Sequence, residues 1–169
     1  EQNAARGYNC SFLPINAVEA FSETMFLLLT GTGVGYSVQN HHIEQLPTIK
    51  GCVGTKHVIV EDSIEGWGDA IKELMKSYFN QEGFPVYNYS KIREKGALLI
   101  TSGGKAPGPE PLRECISRII NILAKKEKDT HLTSIECHDI LCHIANAVLA
   151  GGIRRAAMIA LFDKDDQSM

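Results

Sequence analysis

Residues 14–38 have the sequence PINAVEAFSETMFLLLTGTGVGYSV, and this stretch carries the clearest signal of the fold. Its apolar side chains recur every three to four residues, the spacing that places them on one face of a helix. Proline is favoured in the first helical turn, so we predict a helix from Pro14 to Leu29. The glycines in residues 31–35 would end this helix, and residues 36–38 would continue as an extended strand.

Helices and short strands alternate along the rest of the chain. We predict strands at residues 57–60, 85–89 and 97–101, and a fully buried strand at residues 156–162. We predict helices that begin at Ser63, after Pro111 and, capped by Thr133, at Ser134, and a loop over residues 41–55. Such alternation predicts an α/β fold in one domain, with a mostly parallel sheet that is open or closed into a barrel.

Composition and charge exclude several classes of protein. The 169 residues are 44% hydrophobic and carry a net charge of −3, which gives no electrostatic reason to expect nucleic acid or an anionic membrane as a partner. The apolar runs, such as Met25 to Leu29 and the seven residues 156–162, are far shorter than the roughly 20 residues of a membrane span. Five irregularly spaced cysteines argue against a secreted disulfide framework, so we expect a reducing compartment, the cytoplasm.

Two loops and an arginine pair could contact a ligand. Residues 31–35 lack the third glycine of a dinucleotide fingerprint, which favours a plain helix-to-strand turn. The glycine- and proline-rich residues 102–109 predict either a mobile recognition loop or a surface connection. Arg154 and Arg155 could bind phosphate, but a structural ion pair with an aspartate near the end of the chain is favoured.

The pairs Cys137-His138 and Cys142-His143 resemble a metal cluster at first sight. Equivalent members lie five residues apart, a rotation of about 140° on a helix, so they point to different faces. We therefore predict no metal site, and treat a metal-binding redox domain built on the two cysteines as a minor alternative. The pair His41-His42 falls in the predicted loop and has no visible partner.

Six short motifs follow one another along nearly the whole chain. They are NCSF at 9–12, the segment from FSE to GTGVGYSV at 21–38, DSIEGW at 62–67, YSKIR at 89–93, SGGKAPGP at 102–109 and AGGIRR at 150–155. Together they resemble the adenosylcobalamin-dependent (class II) ribonucleotide reductases, and most of all the triphosphate-reductase type. The motif at 62–67 favours this class over the di-iron class.

The resemblance implies a fold and a set of catalytic roles. The fold would be the first half of the ten-stranded α/β barrel of ribonucleotide reductases and glycyl-radical enzymes. Residues 1–169 would form a partial catalytic domain, incomplete at both ends, since the chain starts with Glu1 rather than methionine. Cys10 would be the redox-active thiol that reduces the 2′ position of the ribonucleotide and ends in a disulfide. Asn9 and Gly33 would contact the substrate.

The resemblance also implies regulation and partners. Pro14 and Asn16 match the effector-binding segment, and Ser102, Gly103 and Gly104 match the loop that couples a dNTP effector to the choice of substrate. Adenosylcobalamin would be the cofactor and thioredoxin, or a similar protein, the reductant. The product would be deoxyribonucleotides for DNA synthesis.

The chain also departs from the family pattern. It lacks the Asn-Pro-Cys-Gly-Glu motif of the radical cysteine, and its other four cysteines do not match the second redox cysteine or the C-terminal pair. We therefore expect these residues alone to be inactive. The alternative is a nucleotide-binding regulatory module without catalysis, which the presence of the missing motif in the full reading frame would exclude.

Overall fold

A computed structural model describes residues 7–98, 105–151 and 157–169. The strands are β1 (Cys10–Pro14), β2 (Gly33–Ser37), β3 (Thr55–Ile59), β4 (Phe84–Asn88) and β5 (Met158–Leu161). The helices are α1 (Glu19–Thr30), α2 (Asn40–Ile43), α3 (Ile64–Phe79), α4 (Glu110–Leu123) and α5 (Ser134–Ala150). In the described residues, β1, β2 and β5 form one sheet in that order, β3 and β4 form another, and all pairings within both sheets are parallel. The prediction of an α/β fold with parallel strands is confirmed.

Local capping signals set the boundaries of two helices. Ser63 accepts a hydrogen bond from the Gly66 amide at the start of α3, as the sequence predicts. Thr133 and Glu136 form a complete capping box at the start of α5, which spans the predicted residues. Gly31 ends α1 in the left-handed conformation, with φ of 89°. The predicted turn is confined to Gly31 and Thr32, because strand β2 begins at Gly33 rather than at the predicted Tyr36.

The predicted start of the first helix is wrong. Pro14 ends strand β1, where it pairs with Ser37, and α1 begins at Glu19. The Ile15 amide donates to the Ser37 carbonyl, so the nitrogen of the preceding residue faces away from β2. Because β1 is an edge strand in the described sheet, the missing N–H of proline costs no ladder hydrogen bond.

Three other predictions need correction or fall outside the described residues. The loop predicted over residues 41–55 begins with the short helix α2. The strand predicted as fully buried is β5, but its side chains alternate, and Ile159 is 68% exposed. Residues 99–104, which include most of the predicted strand at 97–101, lie outside the described part of the chain, as do Arg154 and Arg155.

The helices cover only one face of the β1–β2–β5 sheet. Helix α1 packs on β1 and β2, and also against α3 and α5. Val34 and Tyr36 of β2 point into this core and are each 1% exposed. The other side of the sheet, which no described helix covers, carries Cys10, Phe12, Gly33, Gly35 and Ile159, and we name it the open face. No helix in the described residues is long and apolar enough to cross a membrane.

Two glycines in the first half of α3 provide a matched test of this packing. An alanine Cβ at Gly66 would lie 2.3 Å from the Glu61 carbonyl oxygen, whereas at Gly68 it would lie 3.5 Å from the Ser22 carbonyl oxygen. Both changes gain about 1 kcal/mol of helix propensity. We expect Gly66→Ala to lower the free energy of unfolding by roughly 1–3 kcal/mol because of overpacking. Gly68→Ala should be neutral or stabilising in the same urea titration, and equal effects would contradict the packing.

Candidate active site

The structure brings together the three residues predicted to contact substrate. Cys10 lies beside Gly33 in the parallel register of β1 and β2. The Gly33 amide donates to the Asn9 carbonyl at 2.9 Å, and the Ser11 hydroxyl donates to the Gly33 carbonyl at 3.2 Å. These bonds fix the backbone next to the exposed Cys10 thiol.

Gly33 lies on the middle strand of the sheet and has no side chain, so it leaves a gap on the open face that we name the open step. An added Cβ would meet the Asn9 carbonyl oxygen at 3.4 Å and the Ala157 Cβ at 3.8 Å, which is ordinary contact. The fold therefore tolerates a small side chain at this position. Because Gly33 has no side chain, a ligand beside Cys10 can closely approach the backbone of this strand.

An apolar ridge borders this open step. Two residues further along the strands, Phe12 and Ile159 flank Gly35. Their side chains lie 3.7 Å and 3.5 Å from the position that a Cβ of Gly35 would occupy. The side chains are 56% and 68% exposed, which is unusual for large hydrophobic residues in a packed sheet. The open face thus combines a thiol, accessible backbone and an apolar wall.

The predicted effector residues lie at the other end of β1. Pro14 ends the strand and the half-buried Asn16 follows it, so both are separated from Cys10 by the length of the strand, about 13 Å. Ser102, Gly103 and Gly104 lie outside the described residues. The residues predicted to contact substrate and those predicted to bind the effector therefore lie at opposite ends of β1.

Burial distinguishes Cys10 from the other four cysteines, all of which lie in the described residues. Burial raises the pKa of Cys115 and of Cys137 to about 12. Burial also raises the pKa of Cys52 and Cys142, which are half-buried. Because the thiolate is the reactive form, the fold suppresses the reactivity of these four thiols.

Sequence reasoning missed a polar cluster on the helix side of β2. The Tyr36 hydroxyl lies 2.6 Å from His138 Nδ1, and His138 Nε2 lies 3.5 Å from Cys142 Sγ. Equivalent members of the two Cys-His pairs are five residues apart, whereas His138 and Cys142 are four apart, the spacing that places two side chains on one face of a helix. His42 also has a partner, because its Nδ1 lies 2.8 Å from the Ser37 hydroxyl.

Thiol labelling tests the assigned burial. We expect a disulfide reagent at neutral pH to modify Cys10 first, and Cys115 and Cys137 only after denaturant is added. Peptide mass spectrometry after timed quenching gives the order, and Cys10→Ser should remove the fast phase. Labelling of the two buried thiols at the rate of Cys10 would contradict the structure.

Comparison with known proteins defines the class first by fold. No family model matches the chain. The fold matches the crystal structure of a B-12 dependent (class II) ribonucleotide reductase with a TM-score of 0.81 and 24% identity, over 95% of this chain and 29% of that one. The segment thus has the α/β fold of part of that enzyme, as predicted.

Sequence relatives make the assignment more specific. The chain is 34% identical over 168 residues to the adenosylcobalamin-dependent ribonucleoside-triphosphate reductase of Euglena gracilis, covering 96% of this chain and 23% of the relative. It is 30% identical to the enzyme of that name from Lactobacillus acidophilus, covering 87% of this chain and 25% of the relative. The resemblance to the adenosylcobalamin-dependent ribonucleotide reductases is therefore confirmed, and the chain spans about a quarter of the length of these relatives.

Proposed function

We propose that this chain is part of a ribonucleotide reductase, which converts ribonucleoside triphosphates, or diphosphates, to deoxyribonucleotides for DNA synthesis. The observation that carries the proposal is the position of Cys10, an exposed thiol on the open face beside the bare backbone of Gly33. The names of the relatives support the reaction type. The exposed apolar ridge next to the thiol supports a face that the rest of a larger protein covers.

Two thiols are needed for the proposed reduction. Replacing the 2′ hydroxyl of the ribose by hydrogen takes two electrons and two protons, releases water, and converts two thiols into a disulfide. Cys10 would supply one thiol. The other cysteines lie in α4, in α5 and in the loop before β3, away from the open face, so the partner must come from residues beyond these 169.

Asn9 and Gly33 would position the ribose over Cys10. The Asn9 carbonyl already accepts a hydrogen bond from the Gly33 amide, so the side chain of Asn9 would be the group that binds substrate. A ligand over Gly33 can approach the backbone because no Cβ intervenes. The ridge of Phe12 and Ile159 would limit the access of water to the reacting carbon.

Regulation and partners belong to the same proposal. Pro14 and Asn16, with Ser102, Gly103 and Gly104, would bind a dNTP effector and transmit its identity to the substrate site. Thioredoxin, or a similar reductant, would reduce the disulfide after each turnover. A cytoplasmic location, where such reductants keep thiols reduced, agrees with five free cysteines.

Adenosylcobalamin is the proposed cofactor of the full-length protein, because the relatives are named for it. It would supply the radical that starts the reaction. The described residues alone do not fit a corrin ring, since the open face is a three-stranded sheet rather than the concave surface that large ligands require. We therefore expect the residues that hold the cofactor to lie elsewhere in the protein.

We infer that residues 1–169 form the N-terminal half of the catalytic barrel domain. The chain spans only about a quarter of its relatives, and β1 and β5 are edge strands in the described sheet. The isolated chain is expected to form no deoxyribonucleotide when incubated with substrate, cofactor and dithiol. Turnover by the isolated chain would contradict the need for a second cysteine.

Replacing the thiol in the full-length protein tests its role. We expect Cys10→Ser to abolish multiple turnover with thioredoxin while cleavage of the cobalt–carbon bond of adenosylcobalamin remains detectable. Deoxyribonucleotide yield and the spectrum of the cofactor are measured on the same sample. Cys52→Ser is the matched control and should retain turnover. Full turnover by Cys10→Ser would exclude the proposed role of this thiol. Turnover by the parent and by Cys52→Ser would in turn disfavour a purely regulatory module.

Adding a methyl group tests the open step. In the full-length protein, Gly33→Ala should have a free energy of unfolding within about 1 kcal/mol of that of the parent, because the new Cβ makes only ordinary contacts. Its kcat/KM should fall at least tenfold, since the methyl group occupies the proposed substrate position. Gly35→Ala is the control, because Phe12 and Ile159 already flank that position, and its kcat/KM should fall less. Equal activity of Gly33→Ala and the parent would contradict the assignment.

A further inference from the structure

Tyr36 joins the middle strand of the β1–β2–β5 sheet to a helix. It lies on β2, one position after Gly35 and three after Gly33, and its side chain points away from the open face. It is the bulkiest of the fully buried side chains in the described residues. Its hydroxyl lies 2.6 Å from Nδ1 of His138, a half-buried residue of α5.

This contact gives the sheet a directional link to the helices that cover it. The hydrogen bonds of β2 to β1 and β5 lie in the plane of the sheet and hold the strands to one another. Apolar packing against the helices is non-directional. In the part of the chain that the structure describes, no other side-chain hydrogen bond joins one of these strands to α1, α3 or α5. The contact between Tyr36 and His138 therefore defines the position of β2 relative to α5.

The two partners satisfy each other's polar groups inside the interface. Burial, with smaller contributions from the nearby Cys142 and Asp139, raises the pKa of the Tyr36 hydroxyl far above its usual range. The phenol therefore keeps its proton and can donate it to His138 Nδ1. Leaving either group unpaired in this buried place would be costly, so the interface favours the one geometry in which they meet.

We propose that Tyr36 and His138 are positioning residues for the reaction at Cys10, and that they act by fixing the β2 backbone beneath the substrate. This inference rests on the proposed function. Cys10 lies beside Gly33 in the strand register, so a ribose resting on the Gly33 backbone meets the thiol only while β2 keeps its position. A misplacement of about 1 Å can lower a reaction rate on the order of 100-fold.

Deleting the Tyr36 hydroxyl in the full-length protein tests the proposal. We expect Tyr36→Phe to lower kcat for deoxyribonucleotide formation about tenfold while KM changes less than about threefold, since the substrate contacts remain and their placement is altered. Hydrogen exchange of the β2 amides, followed by mass spectrometry, should become faster in the same variant because the strand has lost its link to α5.

Tyr87→Phe is the matched control. The Tyr87 hydroxyl donates to the Ala70 carbonyl at 2.7 Å, between β4 and α3, so this change also deletes one partly buried tyrosine hydrogen bond. It should lower the urea midpoint about as much as Tyr36→Phe does, but leave kcat within about twofold of the parent. Equal losses of kcat in the two variants would show a general effect of stability and would overturn the positioning role.

His138 provides a second test, which decides alone if Tyr36→Phe does not fold. His138→Asn keeps a polar group near the place of Nδ1 and should retain more kcat than His138→Leu, which leaves the Tyr36 hydroxyl unpaired. Because the two partners act as a unit, Tyr36→Phe combined with His138→Leu should lose no more kcat than the worse single variant. Losses that multiply in the double variant, or equal kcat of His138→Asn and His138→Leu, would overturn the proposal.

The outcomes also separate this inference from the function on which it rests. An active parent with an equally active Tyr36→Phe would contradict the positioning role alone. A parent that forms no deoxyribonucleotide would contradict the proposed function, and the positioning role with it.

Discussion

Strand β2 is hydrogen-bonded in parallel to β1 on one side and to β5 on the other, and the position of the candidate substrate group depends on this pairing. The register sets Cys10 beside Gly33 and directs both toward the open face. A shift by one residue would turn Cys10 into the helix-packed core. A one-residue shift of β2 would instead expose Val34 and Tyr36, and their burial against the helices opposes it.

The two faces of β2 carry different chemical groups. Its glycines leave the backbone accessible on the face that carries the exposed thiol, whereas Tyr36 reaches a histidine and a second thiol on the opposite face. Burial raises the pKa of the Cys142 thiol, which lowers its reactivity. The open face, with its exposed ridge of Phe12 and Ile159, has the apolar character of a surface that is covered in a larger assembly of secondary structure.

Sequence predicts this fold best where the determining interactions are local. The capping residues of α3 and α5 contact amides within three positions, and both helices begin where the sequence predicts. Pro14 was misassigned because proline suits a helix start and an edge strand equally well, and only the pairing with Ser37 decides. The role of Cys10 came from family resemblance, since no local pattern distinguishes it from the other cysteines. The contact between Tyr36 and His138 joins residues 102 positions apart, which no local pattern reveals.

We propose that Cys10 is oxidised as the substrate is reduced. The most direct measurement uses the full-length protein, fully reduced and then freed of all external reductant, with substrate and adenosylcobalamin added. Peptide mapping under thiol-blocking conditions then follows the state of Cys10 as deoxyribonucleotide accumulates. We expect Cys10 to enter a disulfide with a cysteine outside these 169 residues, in proportion to product. Product formation while Cys10 remains a free thiol would contradict it.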